Sequence, residues 1–247
     1  MRSISLALFL LAAFPVLAAT PEELSAWDAQ YEQKRGDAAA VKQLDEALKK
    51  AVEATPEDYE VLWRAARIRN WQADGSTDAK VKKSLGKQVW ELGDRARKVE
   101  PSRVEGHYFA ALGIGAYSEA VGILAALGEG LESKYNERLD AALKIDAMYG
   151  RGGPLLAKGR YFYKLPWPKR DLKKSASHFQ KAIAKHPEAL RAWLYLAETQ
   201  LADGEEKKAH EAILKVTQGS VGYDPAEGHR VKEWAKPVQA AIEEKLK

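Results

Sequence analysis

The stretch LRAWLYLAETQLADGEEKKAHEAILKV, residues 190–216, decides the fold. Leu190, Trp193, Leu194, Ala197 and Leu201 recur at steps of three and four, the period of one helical face. Asp203-Gly204 turns the chain, and Ala209, Ile213 and Val216 line a returning helix. The same hairpin recurs upstream. Pro56, Pro101, Ala147 and Pro187 stand as rungs spaced by 45, 46 and 40 residues. Five residues before each rung stands Ala51, Ala96, Ala142 or Ala182, and ten after it Ala66, Ala111, Ala157 or Ala197. A period in this range with small residues at fixed offsets predicts stacked helical hairpins. The alanines let two helices approach closely, and the prolines end the second helix of each pair.

Other stripes agree. Leu85, Val89, Leu92, Ala96 and Val99 lead to Pro101; Leu131, Tyr135, Leu139 and Ala142 lead to Asp146; Leu172, Ala176, Phe179 and Ile183 lead to His186-Pro187. A first pair joins Glu22–Arg35 to Ala38–Ala54 across Gly36-Asp37, and Gly75-Ser76-Thr77-Asp78 is a turn in the second unit. Val231, Trp234, Val238 and Ile242 make an amphipathic stripe on Gly228–Lys245, kinked or restarted at Pro237 and suited to cap the last repeat. Almost no strand signal appears. The expectation is an all-α helical-hairpin solenoid with a C-terminal capping helix, occupying residues 19–247 as one repeat domain.

In residues 190–216, Trp193, Leu196, Ala197, Gly204, Ala209 and Ile213 resemble the tetratricopeptide repeat, as do Phe179, Ala182 and Pro187 in the preceding unit. Gln200 stands where that pattern carries a tyrosine. The resemblance implies a tetratricopeptide-like architecture with a concave face that holds partners. The family period is ~34 residues, so the longer spacing here predicts insertions in helices or turns.

The N-terminus reads differently. Met1-Arg2 is a positive start, Ile4–Ala13 is an almost unbroken apolar run, and Val16-Leu17-Ala18 offers short residues for cleavage. Residues 1–18 read as a secretory signal peptide, which puts the mature chain in the periplasm or outside the cell. An uncleaved anchor would need roughly 18 or more apolar residues, and Pro15 and Pro21 argue against it. The chain has no cysteine, which excludes disulfides, thiol ligands, a thiol nucleophile and lipid attachment through cysteine. Its formal net charge of +4, with both signs alternating along the helices, gives no case for nucleic acid. No membrane anchor and no cofactor are expected.

The usual signatures of chemistry are missing. His107, His178, His186, His210 and His229 form no His-x-x-x-His pair, and His210-Glu211 lacks the second histidine of a zincin helix. Gly113-x-Gly115 follows no strand. Gly150-Arg151-Gly152-Gly153 lacks the Lys-Ser/Thr of a phosphate loop and reads as a flexible joint before Pro154. An enzyme would need His107 to meet Glu119 or Asp146 in one cleft, and spacing offers no support for that. The run Leu112–Gly130 holds five glycines, a sign of close backbone packing, and its apolar part Leu112–Leu127 fits either a buried central helix pair or the wall of a ligand channel.

Tyr149–Asp171 is the sharpest local signal. Arg160, Tyr161, Phe162, Tyr163 and Trp167 place five planar groups in eight positions. Aromatics supply contact area at small entropic cost, and an arginine grips a carboxylate with two prongs. Candidate binding residues are His107, Tyr108, Arg160, Tyr161, Tyr163, Trp167 and Arg170. The structural alternative places Tyr161 and Phe162 in the core and makes Pro166-Trp167-Pro168 a stiff, packed loop. Gly153-Pro154, Gly159-Arg160-Tyr161, Leu165-Pro166-Trp167-Pro168, Asp171, Ser175 and Leu194–Glu198 resemble the T-component family of TRAP transporter accessory proteins over Gly106–Val216. That resemblance implies a periplasmic protein with an apolar channel that associates with a solute-binding protein and forms homo-oligomers. Similar repeat packing occurs in eukaryotic microtubule-regulator proteins. The expected function is a non-catalytic binding protein for a protein partner or a small apolar or acidic ligand. A purely structural scaffold and an enzyme are the rivals.

Overall fold

The computed structural model describes residues 18–247; the expected signal peptide, but for Ala18, lies outside them. Twelve helices and no strand make up the described residues. The first hairpin pairs α1 (Pro21–Lys34) with α2 (Ala38–Ala54), and the second α3 (Tyr59–Gly75) with α4 (Ala79–Val99). The third is α5 (Val104–Val121), the short α6 (Ile123–Gly128) and α7 (Leu131–Asp146). The fourth pairs α8 (Tyr149–Lys164) with α9 (Leu172–Lys185), and the fifth α10 (Leu190–Ala202) with α11 (Glu206–Thr217). The last helix, α12 (Pro225–Lys245), packs on α10 and α11.

The rungs fall between hairpins. Thr55, Glu100 and His186, each just before a rung proline, share φ near −130° and ψ near 70° (−125/74, −129/79, −132/67). The following proline ring bars the helical region at that position. Each of these residues returns its N–H to the carbonyl of the rung's alanine, Ala51, Ala96 or Ala182. Ala147, the rung without proline, stays helical in φ and ψ. Seven of the eight ladder alanines are buried, Ala51 being partly covered. Aspartate caps mark five helix starts: Asp37, Asp58, Asp78, Asp171 and Asp224 accept from backbone N–H groups of α2, α3, α4, α9 and α12. Each such cap stabilises by about 1 kcal/mol.

The closest packing is between α4 and α5. Gly86 and Gly93 on α4 meet the backbone of Tyr117 and Ala110 on α5, Gly106 and Gly113 on α5 meet that of Arg97 and Trp90 on α4, and a Cβ at Gly93 would lie 2.3 Å from the Ala110 nitrogen. A Cβ at Gly113 would lie 2.2 Å from the Trp90 nitrogen. The two backbones therefore touch. Within the Leu112–Gly130 run, Gly113 packs backbone to backbone on α4, while Leu112, Gly115, Ala116 and Glu119 face a central cavity. It is not buried throughout, because Gly122 turns at φ 96° and leaves Leu124 74 % exposed on α6.

The hairpins wind so tightly that the last helix returns to the first pair. Arg35, after α1, pairs with Asp224, the cap of α12. Gly36 packs on Ala226, and Arg230 donates to the Trp71 carbonyl at 3.0 Å with its guanidinium 3.1 Å from the indole centroid. The solenoid is thus a ring with a seam.

Candidate functional site

Within the ring lies a cavity of about 1140 Å³. Its walls are mainly the first helices of the hairpins, each contributing side chains at steps of three and four. From α3 come Trp63, Arg67, Trp71 and Asp74; from α5, Tyr108, Leu112 and Glu119; from α8, Leu156 and Arg160; from α10, Arg191, Leu194 and Glu198. Such a stripe normally faces a dry core and is apolar. Here it mixes aromatic rings with charges.

The charges are tied to one another. Arg191 grips Asp74 with two prongs, at 3.1 and 2.8 Å, and reaches Glu227 of α12 at 2.9 Å. Burial pushes the Asp74 carboxyl up, but Arg191 and Arg230 outweigh it and hold the group below the usual carboxylate range. Burial would lower the Arg191 guanidinium, but Asp74 and Glu227 reverse that and raise it well above its ordinary value. Arg160 pairs with Glu198 and lies against the rings of Tyr163 and Tyr195, at 4.7 and 4.3 Å. Arg67 and Arg35 both lie against the Tyr31 ring, at 4.1 and 4.7 Å, and Arg67 pairs with Asp28 at 2.5 Å. Burial pushes the Tyr108 hydroxyl well above its usual value, so it stays protonated. Each basic side chain on the wall has a carboxylate partner, so the cavity offers neutral and paired polar groups rather than a bare cation.

The Gly150–Gly152 segment is not the loose joint expected of its glycines. Gly150, Arg151 and Gly152 all take left-handed backbone angles, with Arg151 at φ 64°. For a residue with a side chain this costs roughly 1–2 kcal/mol. The Arg151 side chain crosses the seam to Asp224 at 2.8 Å and Glu32 at 3.4 Å, and lies 5.2 Å from the Tyr223 ring. Asp224 thereby caps α12 and binds two arginines.

Asp74 makes the seam sensitive to acid. A carboxyl depressed by its partners contributes its stabilisation above the unfolded-state value, about 3.9, and loses it as pH falls through the folded value. Asp28, Glu60 and Asp94 are depressed in the same direction, burial opposing and arginines prevailing. Thermal melts should therefore fall steeply below about pH 4. Asp74→Asn should flatten part of that limb while lowering stability at neutral pH; an unchanged acid limb would count against the assignment.

The sequence-derived candidates separate into groups. Tyr108 and Arg160 line the cavity. Tyr161 lines a smaller neighbouring pocket of about 100 Å³, stacks on Tyr135 at 5.7 Å and donates to Glu132 at 2.8 Å. Tyr163 stands between Arg160 and Arg170, at 4.7 and 5.0 Å, and neither Tyr163 nor Arg170 lines the cavity. His107 also lies off it: Nε2 is 2.9 Å from the Pro101 carbonyl, six residues back. Trp193 Nε1 donates to the Pro187 carbonyl at the same offset and distance, so His107 occupies a recurring structural position. Among the described residues no histidine pairs with a carboxylate, and no cluster of three or more His, Asp or Glu could hold a metal ion. Trp167 is 89 % exposed, so Pro166-Trp167-Pro168 is not a packed loop. Sequence reading missed Trp71, Asp74, Arg191 and Glu227, which lie far apart along the chain. No stripe or motif read from the sequence contained any of the four.

The family model of regulator of microtubule dynamics protein 1-3 matches residues 24–166, α1 through α8. It is a different family from the TRAP T-components. No curated protein matches the chain. Among solved structures, a thermophilic TPR protein of Thermus thermophilus aligns with a TM-score of 0.61 at 19 % identity, covering 86 % of this chain and 96 % of that one. That likeness shows the tetratricopeptide fold. Yeast Tom70 aligns with a TM-score of 0.35 at 15 % identity, covering 89 % of this chain and 58 % of that one.

Proposed function

The chain belongs to the regulator of microtubule dynamics protein 1-3 family, and on that footing we propose that it is a non-catalytic binding protein whose ligand sits inside the ring. The observation that carries this reading is the cavity of about 1140 Å³, walled by helix stripes that a purely structural scaffold would fill with apolar side chains. The seam contacts of Arg35, Arg151 and Arg230 narrow the inner face against a folded partner. A small molecule or a short extended segment fits the space. Because Arg160 is held by Glu198 and Arg191 by Asp74 and Glu227, a strongly acidic ligand would have to displace a carboxylate. The better match is a near-neutral ligand with polar groups and a flat apolar face, laid against Tyr108, Trp71 and Tyr195. Microtubule regulation, which the family name carries, is not part of this reading, because the residues that argue for binding face inward.

Native mass spectrometry of the purified full chain tests it. A bound small molecule is the expected result. Leu112→Trp, which puts an indole into the cavity, should abolish it; because Leu112 also packs on the core, circular dichroism must show the variant folded. Retention at the wild-type stoichiometry would move the site elsewhere. Export after cleavage near Ala18 belongs to the same proposal, supported by the leader pattern, and N-terminal sequencing of the native protein checks it. Service beside a transporter's solute-binding protein, in the manner of the TRAP accessory family, rests on the resemblance of Gly153–Pro168, Asp171, Ser175 and Leu194–Glu198 alone; capture of such a protein from periplasm would support it.

A further inference from the structure

Among the described residues, the two most exposed large apolar side chains are Trp167, at 89 %, and Leu124, at 74 %. Each lies on a segment that meets the start of α7. Trp167 tips the turn between α8 and α9, and Lys169 of that turn reaches Glu132, in the first turn of α7, at 2.6 Å. Leu124 lies on α6, which leads into that same turn. The apolar pocket of about 100 Å³ between them is lined by Ile123, Leu127, Leu131 and Leu165. The fold does not need the indole. The turn is held by buried Leu165 and by backbone bonds, from Lys169 to the Pro166 carbonyl at 2.9 Å and from Asp171 to the Phe162 carbonyl at 3.2 Å.

Charge surrounds the knob. Lys164, Lys169, Arg170, Lys173 and Lys174 are exposed, and Asp171 is the single acid in residues 164–174. The neighbouring carboxylates are engaged: Glu119 by Lys82 and Lys164, Glu132 by Lys169, and Asp171 by Lys174. Glu129 is the corner's remaining acid. Arg170 and Lys173 have no carboxylate partner among the described residues. An exposed tryptophan beside cations matches the headgroup layer of an anionic bilayer, where indole rings settle and Lys and Arg meet phosphates. The corner presents knobs and only a shallow pocket, which suits a soft lipid surface better than a segment of protein. We propose that this corner docks the protein peripherally on an anionic lipid surface, with Trp167 and Leu124 entering the headgroup layer and Arg170 and Lys173 meeting the phosphates. Among the described residues no helix is long and apolar enough to cross a membrane. The contact is independent of what the cavity holds.

The test is co-sedimentation of the full chain with sucrose-loaded vesicles of phosphatidylcholine, with or without phosphatidylglycerol. Binding is expected only with phosphatidylglycerol, and it should fade as salt rises. Trp167→Ala should weaken it about tenfold, and Arg170→Glu with Lys173→Glu by at least as much. Because these side chains are exposed, the Tm of each variant should match wild type, which separates lost docking from lost folding. Equal binding to neutral vesicles, or undiminished binding by Trp167→Ala, overturns the proposal. So does a wild-type chain that ignores both vesicles yet binds a polyglutamate peptide through Trp167, since the corner would then serve an acidic protein.

Discussion

Alanine at Gly113 is expected to cost about 3 kcal/mol and to lower the Tm by roughly 6–12 °C, the shift such a loss produces in a chain of this size. The new methyl carbon would stand 2.2 Å from the Trp90 nitrogen and 2.7 Å from both the Trp90 Cα and the Gly86 carbonyl oxygen. Those atoms are backbone and cannot swing aside, so α4 and α5 would have to part. Parting them also opens the contacts of buried Val89, Leu92 and Phe109. Gly93→Ala should behave alike, meeting the Ala110 backbone at 2.3 Å. The two substitutions strain one interface, so the double variant should lose less than the sum. Gly128→Ala is the control. A Cβ there meets nothing within 4 Å, and its effect should be near zero or slightly stabilising. Differential scanning calorimetry of the three single variants and the double variant decides it. A Gly113→Ala protein that melts with wild type would mean that the backbones do not touch.

Those glycines mark how far the sequence could be read. Their number in Leu112–Gly130 signalled close packing, but not which of them packed. Gly113 meets α4, Gly115 faces the cavity, and Gly122 and Gly130 make left-handed turns. The hairpins themselves were legible, because the proline rungs act locally. A residue before proline is barred from the helix whatever surrounds it, which is why Thr55, Glu100 and His186 share one conformation. Ala147 imposes no such bar, and there the chain instead turns left-handed through Gly150–Gly152. The site was less legible for the opposite reason. Asp74 and Arg191 are 117 residues apart and meet only because five hairpins curl into a ring. Curvature accumulates from small rotations between repeats and leaves no mark at any one residue. Clustering in sequence drew attention to Arg160, Tyr161, Tyr163, Trp167 and Arg170, and of these five only Arg160 and Tyr161 line a pocket.

Closure of the ring can be captured covalently. A Cβ at Gly36 would lie 3.6 Å from the Ala226 Cβ, within the ~3.5–4.5 Å that a disulfide spans. Gly36→Cys with Ala226→Cys should oxidise readily, and because the chain has no other cysteine no competing pair can form. The bond would join residues near opposite ends of the described chain. Loop-closure entropy for so long a loop approaches about 5 kcal/mol, and engineered bonds usually deliver less. A gain of about 3 kcal/mol, or roughly 6–12 °C in Tm, is expected and should vanish on reduction. Titration of free thiols measures closure directly. A seam that stood open in solution would leave both thiols reactive and the Tm unchanged, and the cavity would then be a continuous groove. The same protein probes entry to the cavity. A ligand that loads through the seam should exchange slowly in the oxidised form and at the wild-type rate once the bond is reduced. Exchange at one rate in both forms would place the entrance elsewhere on the ring.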